Sequence, residues 1–156
     1  MNAIIKNLVT LKNLLSVYIA FVFVQSLFFK FTNSLETQHI FGVLGAWSGF
    51  AWFAKYGAYG VGTAELIAAI LLFTRWHGVG AVMALGVMSG AIFFHLFTPL
   101  GTAMPVYDDS GAAVGDDGGL LFGMACLVWV SALVLIVKDF LNTQGFLYQF
   151  RKHLTA

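Results

Sequence analysis

Four long apolar runs leave this chain few ways to fold: Leu14 to Phe31, Ala58 to Thr74, Gly78 to Thr98 and Leu120 to Val137. Each is 17 to 21 residues long. A helix rises about 1.5 Å per residue, so each run is long enough to cross a hydrocarbon core of roughly 30 Å, the shorter ones with little to spare. The runs lack the apolar/polar alternation of barrel strands, which makes helices the expected spanning element. Sixty per cent of the residues are hydrophobic and only 10% charged, against about 25% charged in ordinary globular domains. The expectation is an all-α fold, a four-transmembrane-helix bundle that occupies residues 1–156 as one integral membrane domain in contact with the lipid bilayer.

Charge and cysteine content exclude other classes. A net charge of +1 gives no footing for nucleic acid, and a lone Cys126 rules out an internal disulfide or a CxxC redox pair. Lys6 and Lys12 precede the first run as in a signal peptide, but the run is long and ends in Phe28, Phe29, Lys30 and Phe31 without a small-residue cleavage site. It reads as an uncleaved first helix. With both termini cytoplasmic, Lys6, Lys12, Arg75, Lys138, Arg151 and Lys152 lie inside and only Lys30 and Lys55 outside, as the positive-inside rule asks.

The connections differ in kind. Arg75-Trp76-His77 makes a minimal turn between the second and third runs. Thr32 to Gly57 is neither short nor polar, and its Ile40, Phe41, Leu44, Trp47, Ala51 and Ala54 recur at helical spacings. That is the pattern of an amphipathic segment lying at the lipid surface or capping the bundle. Trp47, Trp52, Tyr56 and Tyr59 suit an interfacial aromatic belt, with a lid over a pocket as the other reading. Between the third and fourth runs, Asp108-Asp109 and Asp116-Asp117 flank Ser-Gly-Ala-Ala, which predicts a short hairpin or turn. Asp116 and Asp117 are also placed to cap the fourth helix. Gly86 and Gly90 form a GxxxG spacing, read as close helix packing.

Ionisable residues inside the apolar runs carry the chemistry. Glu65 lies seven residues into the second run, His95 one turn from the end of the third, and Lys30 at the end of the first. All three belong to one leaflet. Nothing one turn away on its own helix pairs with Glu65, so it needs a partner across the bundle or must stay protonated. The expected site is a convergence of Lys30, Glu65 and His95, with Gln25 and Ser26 nearby and aromatic walls from Phe28, Trp47, Phe93 and Phe94. Glu65 and His95 are the candidate catalytic residues, and Lys30, Trp47 and Phe94 the candidate ligand-binding ones. A purely structural ion pair is the competing reading. His39, Glu65 and His95 have the residue types of a two-histidine, one-carboxylate metal site, but no spacing signature supports it.

Several stretches also resemble a known family. FFKFTNSLETQHIF, LGAW, GVGTAELIAAILLF, GAIFFHLFTPLG and DDGGLLFGMA occur here in an order and spacing similar to those of the small DoxX-like membrane proteins. The resemblance runs from about Phe28 to Ala125. It implies a four-helix protein of the bacterial inner membrane, and in some relatives a link to quinone-dependent oxidation. The implied function is redox-linked, with a quinone or quinol site in the outer half of the bundle and electrons from a soluble or membrane partner. Oligomers are compatible with such a protein. The alternative is a non-catalytic subunit, scaffold or small-molecule carrier whose polar cluster only locks the bundle.

Overall fold

The computed structural model describes the backbone of residues 3–154 and side chains from Leu11 onward, so the Lys6 side chain lies outside the described part. Six helices and one hairpin follow in the order α1 (Ala3–Phe31), α2 (Leu35–Ser48), α3 (Ala51–Leu71), α4 (His77–Phe97), β1 (Pro105–Tyr107), β2 (Ala113–Asp116), α5 (Leu120–Leu141) and α6 (Phe146–Leu154). The fold is mostly helical. α1, α3, α4 and α5 pack as a ring in which each touches its two neighbours, α2 lies against α3, and α6 lies against α5 and α4. One end, the cap end, carries α2 and the hairpin. The other, the base end, carries the α3–α4 turn and α6.

Helical phase decides which residues face inward. On α1, Ser16, Ile19 and Phe23 are buried at spacings of three and four, while Leu14, Val17, Phe21, Val24 and Phe28 form an exposed apolar stripe on the opposite side. α5 repeats this, with Val128, Ala132, Leu135 and Asp139 inside and Leu127, Val130, Val134, Val137 and Leu141 outside. A water-soluble protein does not leave such stripes bare, and lipid covers them without cost. Residues Leu11–Phe31 of α1, together with α4 and α5, are three helices long and apolar enough to cross a membrane. At 21 residues α3 matches α4 in length. Lys55, Glu65, its tyrosines and its glycines make it less apolar.

The boundaries depart from the expected runs for a physical reason. Left-handed Gly49 (φ +74°) ends α2, and α3 begins at once with Ala51, seven positions before the apolar run starts. Hydropathy located where the chain turns greasy, but helix propagation needs only hydrogen-bonding backbone and tolerable side chains, and nothing between Ala51 and Gly57 interrupts it. Glu65 therefore follows the first residue of α3 by 14 positions, about 21 Å along the axis. α6 was not anticipated.

The expected hairpin is present, with Pro105 opposite Asp116 and Tyr107 opposite Ala113 in antiparallel register. Asp108 closes its turn by accepting from Ser110 Oγ (2.6 Å) and the Ser110 and Ala112 amides (2.9 and 3.0 Å). These bonds, the Ser110 hydroxyl foremost, hold the Asp108 carboxyl below its ordinary range. Asp117 performs the expected capping: left-handed Gly118 and Gly119 fold it back, so that its oxygens accept from the Leu121, Gly119 and Met104 amides at 2.7–2.9 Å. Asp116 instead accepts from the Gly118 amide at 2.8 Å.

The GxxxG pair behaves differently from expectation. A Cβ on Gly86 or Gly90 would meet nothing within 4 Å, so neither glycine brings backbones together. Close packing falls to Gly80, where a Cβ would sit 2.8 Å from the Leu72 amide and 3.0 Å from the Ala68 carbonyl. That approach, with Ala68, Ala81 and Ala84 fully buried, draws the α3–α4 pair tight near the base.

Candidate ligand cavity at the cap end

The inward stripe of α1 continues past Phe23 to Ser26 and Lys30, each three or four residues on, so a helix that is apolar in its middle delivers an ammonium to the interior near its end. α3 presents Glu65 opposite. The two meet: Lys30 Nζ donates to both oxygens of Glu65, at 3.1 and 2.9 Å, and also to Ser26 Oγ. Glu65 is 2% exposed. Leaving either charge unpaired there would be costly, and the bidentate contact offsets much of the desolvation of both.

This pair is set in the wall of a cavity of about 650 Å³, within the range that holds a drug-sized ligand. The lining is mainly apolar, with Phe23 and Phe29 from α1, Phe53 from α3 and Phe94 from α4 among its walls. α2 roofs it with Thr37, Phe41 and Leu44, buried at spacings of four and three. Segment 32–57 thus caps the bundle with its inner face, while Trp47, Trp52, Tyr56 and Tyr59 are exposed as a belt requires.

His95 shares the cavity wall but not the ion pair. Its Nδ1 lies 2.6 Å from the Gly101 carbonyl, and because a carbonyl only accepts, Nδ1 carries the proton. In the neutral ring this leaves Nε2 as an acceptor. The ring stands edge-on to Phe122. Among the described residues no hydrogen bond joins His95 to Lys30 or Glu65, so the expected three-residue convergence resolves into a bonded pair and a histidine along the same wall.

Of the expected aromatic walls, only Phe94 lines this cavity. Phe28 and Phe93 are exposed and stand outside the lining, whereas fully buried Phe23 and half-exposed Phe29 belong to it. Trp47 does not line the cavity. It buttresses Phe94 from outside, edge to face, with ring centroids 6.4 Å apart. His39 is not in the lining either, and among the described residues no three His, Cys, Asp or Glu side chains cluster to hold a metal.

Sequence reasoning missed a second buried polar group, at the base end. Ser16 Oγ and His77 Nε2 are hydrogen-bonded at 3.2 Å, His77 Nδ1 lies 3.9 Å from Asp139 Oδ1, and Asp139 Oδ2 accepts from the Leu147 amide of α6 at 2.8 Å. The signal was available. Asp139 continues the Val128, Ala132, Leu135 stripe and Ser16 begins that of Ile19 and Phe23, so each occupies an inward position that an apolar residue would fill by default. The site is crowded: a Cβ on Gly78 would reach 2.8 Å from Leu147 Cγ and press on the Asp139 carboxylate.

No protein-family profile, no curated protein and no solved structure matches this chain.

Proposed function

We propose that this chain is a DoxX-like integral membrane protein of the bacterial inner membrane, with four spans and cytoplasmic termini, and that its cap-end cavity binds the head group of a lipid-soluble quinone or quinol. The observation that carries the reading is the Lys30–Glu65 pair facing into a mainly apolar cavity of about 650 Å³. A lock for the helices needs no such space beside it.

The chemistry of the wall fits this ligand. A quinone carbonyl accepts hydrogen bonds, which Lys30 and the Thr37 hydroxyl can donate. A quinol hydroxyl donates, and His95 Nε2 can accept. Glu65 provides a carboxylate able to take up a proton once its bond to Lys30 is exchanged for one to the ligand. Phe23, Phe29 and Phe94 supply flat apolar surface for the ring. In this account the protein is the membrane partner of a redox reaction, and electrons reach the quinone from a soluble or membrane-bound donor.

Topology has its own support. α3 matches α4 in length, and Lys30 neutralises the one carboxylate in its apolar half. Lys12, Arg75, Lys138, Arg151 and Lys152 all belong to the base end, which favours the cytoplasmic side for that end.

A second reading takes the protein as a non-catalytic subunit or carrier. It rests on the completeness of the ion pair, in which both Glu65 oxygens are already satisfied. Titration of a short-tailed quinone into the purified protein, followed by tryptophan fluorescence, separates the two. Saturable quenching that weakens at least tenfold in Glu65→Gln and His95→Gln, with both variants still folded, supports the quinone site. Quenching that only rises linearly with quinone, alike in all three proteins, contradicts it.

A further inference from the structure

The α3–α4 seam is closed at two levels and bare between them. Near the base, Gly80 lets the α4 backbone press on Ala68 and Leu72. At the cap, the Phe53 and Phe94 rings meet with centroids 6.0 Å apart. Between these anchors the facing edges carry Gly60 and Ala64 on α3 and Gly86 and Gly90 on α4, and all four line the cavity. A Cβ on any of the three glycines would meet nothing within 4 Å, and Gly60 and Gly86 are exposed. Outward-facing Ile67 and Phe97 lie on the same two helices, so the gap faces the apolar exterior rather than water.

We infer that this gap is a lateral window through which the ligand passes between the cavity and the bilayer, its chain lying across the glycines while its head group reaches Lys30 and Glu65. The inference rests on the cavity being the ligand site proposed above, and it narrows the ligand class to bilayer-dissolved amphiphiles with one slender chain. Volume supports this. A cavity of about 650 Å³ encloses a molecule of drug size, so a head group with a long isoprenoid or acyl tail must leave most of that tail outside. A tail leaving through the α2 roof would enter the headgroup layer and water, whereas one leaving between α3 and α4 stays in hydrocarbon. Side chains at Gly60, Gly86 or Gly90 would narrow the passage without striking the backbone, which gives their lack of a Cβ a purpose that packing does not.

The test uses a reporter inside the cavity rather than the natural ligand. In a Cys126→Ser background, Ala91→Cys places a thiol on the lining. Purified protein in phosphatidylcholine vesicles is treated with a maleimide carried on an alkyl chain, or with a sulfonated, membrane-impermeant maleimide. The expected result is faster reaction with the alkyl reagent, slowed at least tenfold when Gly60→Ile and Gly90→Ile are added, with no matching change for the sulfonated one. Should the double substitution impair folding, the single Gly60→Val and Gly90→Val variants are each expected to slow the reaction severalfold. An alkyl rate indifferent to these substitutions, or a sulfonated reagent that labels faster, overturns the window. Because no quinone is used, the two proposals fail separately: labelling through the window without quinone binding would remove the quinone and keep the route, and quinone binding with unaltered labelling would do the reverse.

Discussion

The cap and base ends of this bundle bury comparable polar residues by the same device and use them differently. Both take positions on inward apolar stripes, Lys30 and Glu65 at one end, Ser16, His77 and Asp139 at the other. At the cap the charged pair borders a large cavity, and the nearby glycines leave space. At the base the polar atoms are enclosed by packed neighbours, and Asp139 spends an oxygen on the first turn of α6, tying that helix to the bundle. A buried charge in an apolar helix is thus a poor guide to function by itself. The space beside it is the better one.

Breaking the cap pair should have the largest effect. Glu65→Ala strands the Lys30 ammonium and is expected to cost about 3 kcal/mol, read as a lower unfolding temperature in detergent. The double variant Lys30→Met, Glu65→Leu should recover most of it, because no charge is then left unpaired. A Glu65→Ala protein as stable as wild type would show that the pair is solvated and erase the contrast.

Glycines sharpen the comparison next. Gly80→Ala, near the base, should destabilise by about 2 kcal/mol, since the added methyl strikes backbone that has nowhere to go. Gly90→Ala, at the cavity, should instead stabilise by roughly 0.5 kcal/mol through helix propensity alone. Thermal melts of the two side by side check the opposite signs. Asp139→Ala should cost about 1 kcal/mol, the usual value of a lost cap, and should expose Asn142 to Gly145 to protease while leaving the cavity intact.

The smallest effect is on pH dependence. Partial burial raises the Asp117 carboxyl, but amides of Leu121, Met104 and Gly119 more than offset this and hold it below its ordinary value. A carboxyl lowered in the folded state adds stability that is complete above its unfolded pKa, about 3.9, and disappears as pH falls through the folded value. Melts of wild type should therefore lose to Asp117→Asn part of their advantage only below about pH 4, with the difference constant from pH 6 to 8.

Much of this was legible in the residues, and what was missed has definite causes. Run length located α1, α4 and α5, the Asp pairs announced the hairpin, and an unpaired Glu65 called for a partner that Lys30 supplies. Phe28 and Phe93 fall outside the cavity lining because proximity in sequence does not give helical phase, which turns them outward. The start of α3 was hidden because hydropathy marks solvent preference, not helix limits. GxxxG was misread because the same spacing permits close packing or open space, and only the neighbouring helix decides. Asp139 and Ser16 were overlooked because they sit at run ends, where polar residues ordinarily face water.

The central claim is that the cap end holds a ligand and the base end does not. Mass spectrometry of lipids extracted from protein purified in mild detergent tests it most directly. Wild type and Asp139→Asn should each carry a quinone at a near-stoichiometric ratio, while Glu65→Gln and Gly90→Ile carry little although both remain folded. A wild-type protein without quinone, or equal quinone in all four, would contradict the account.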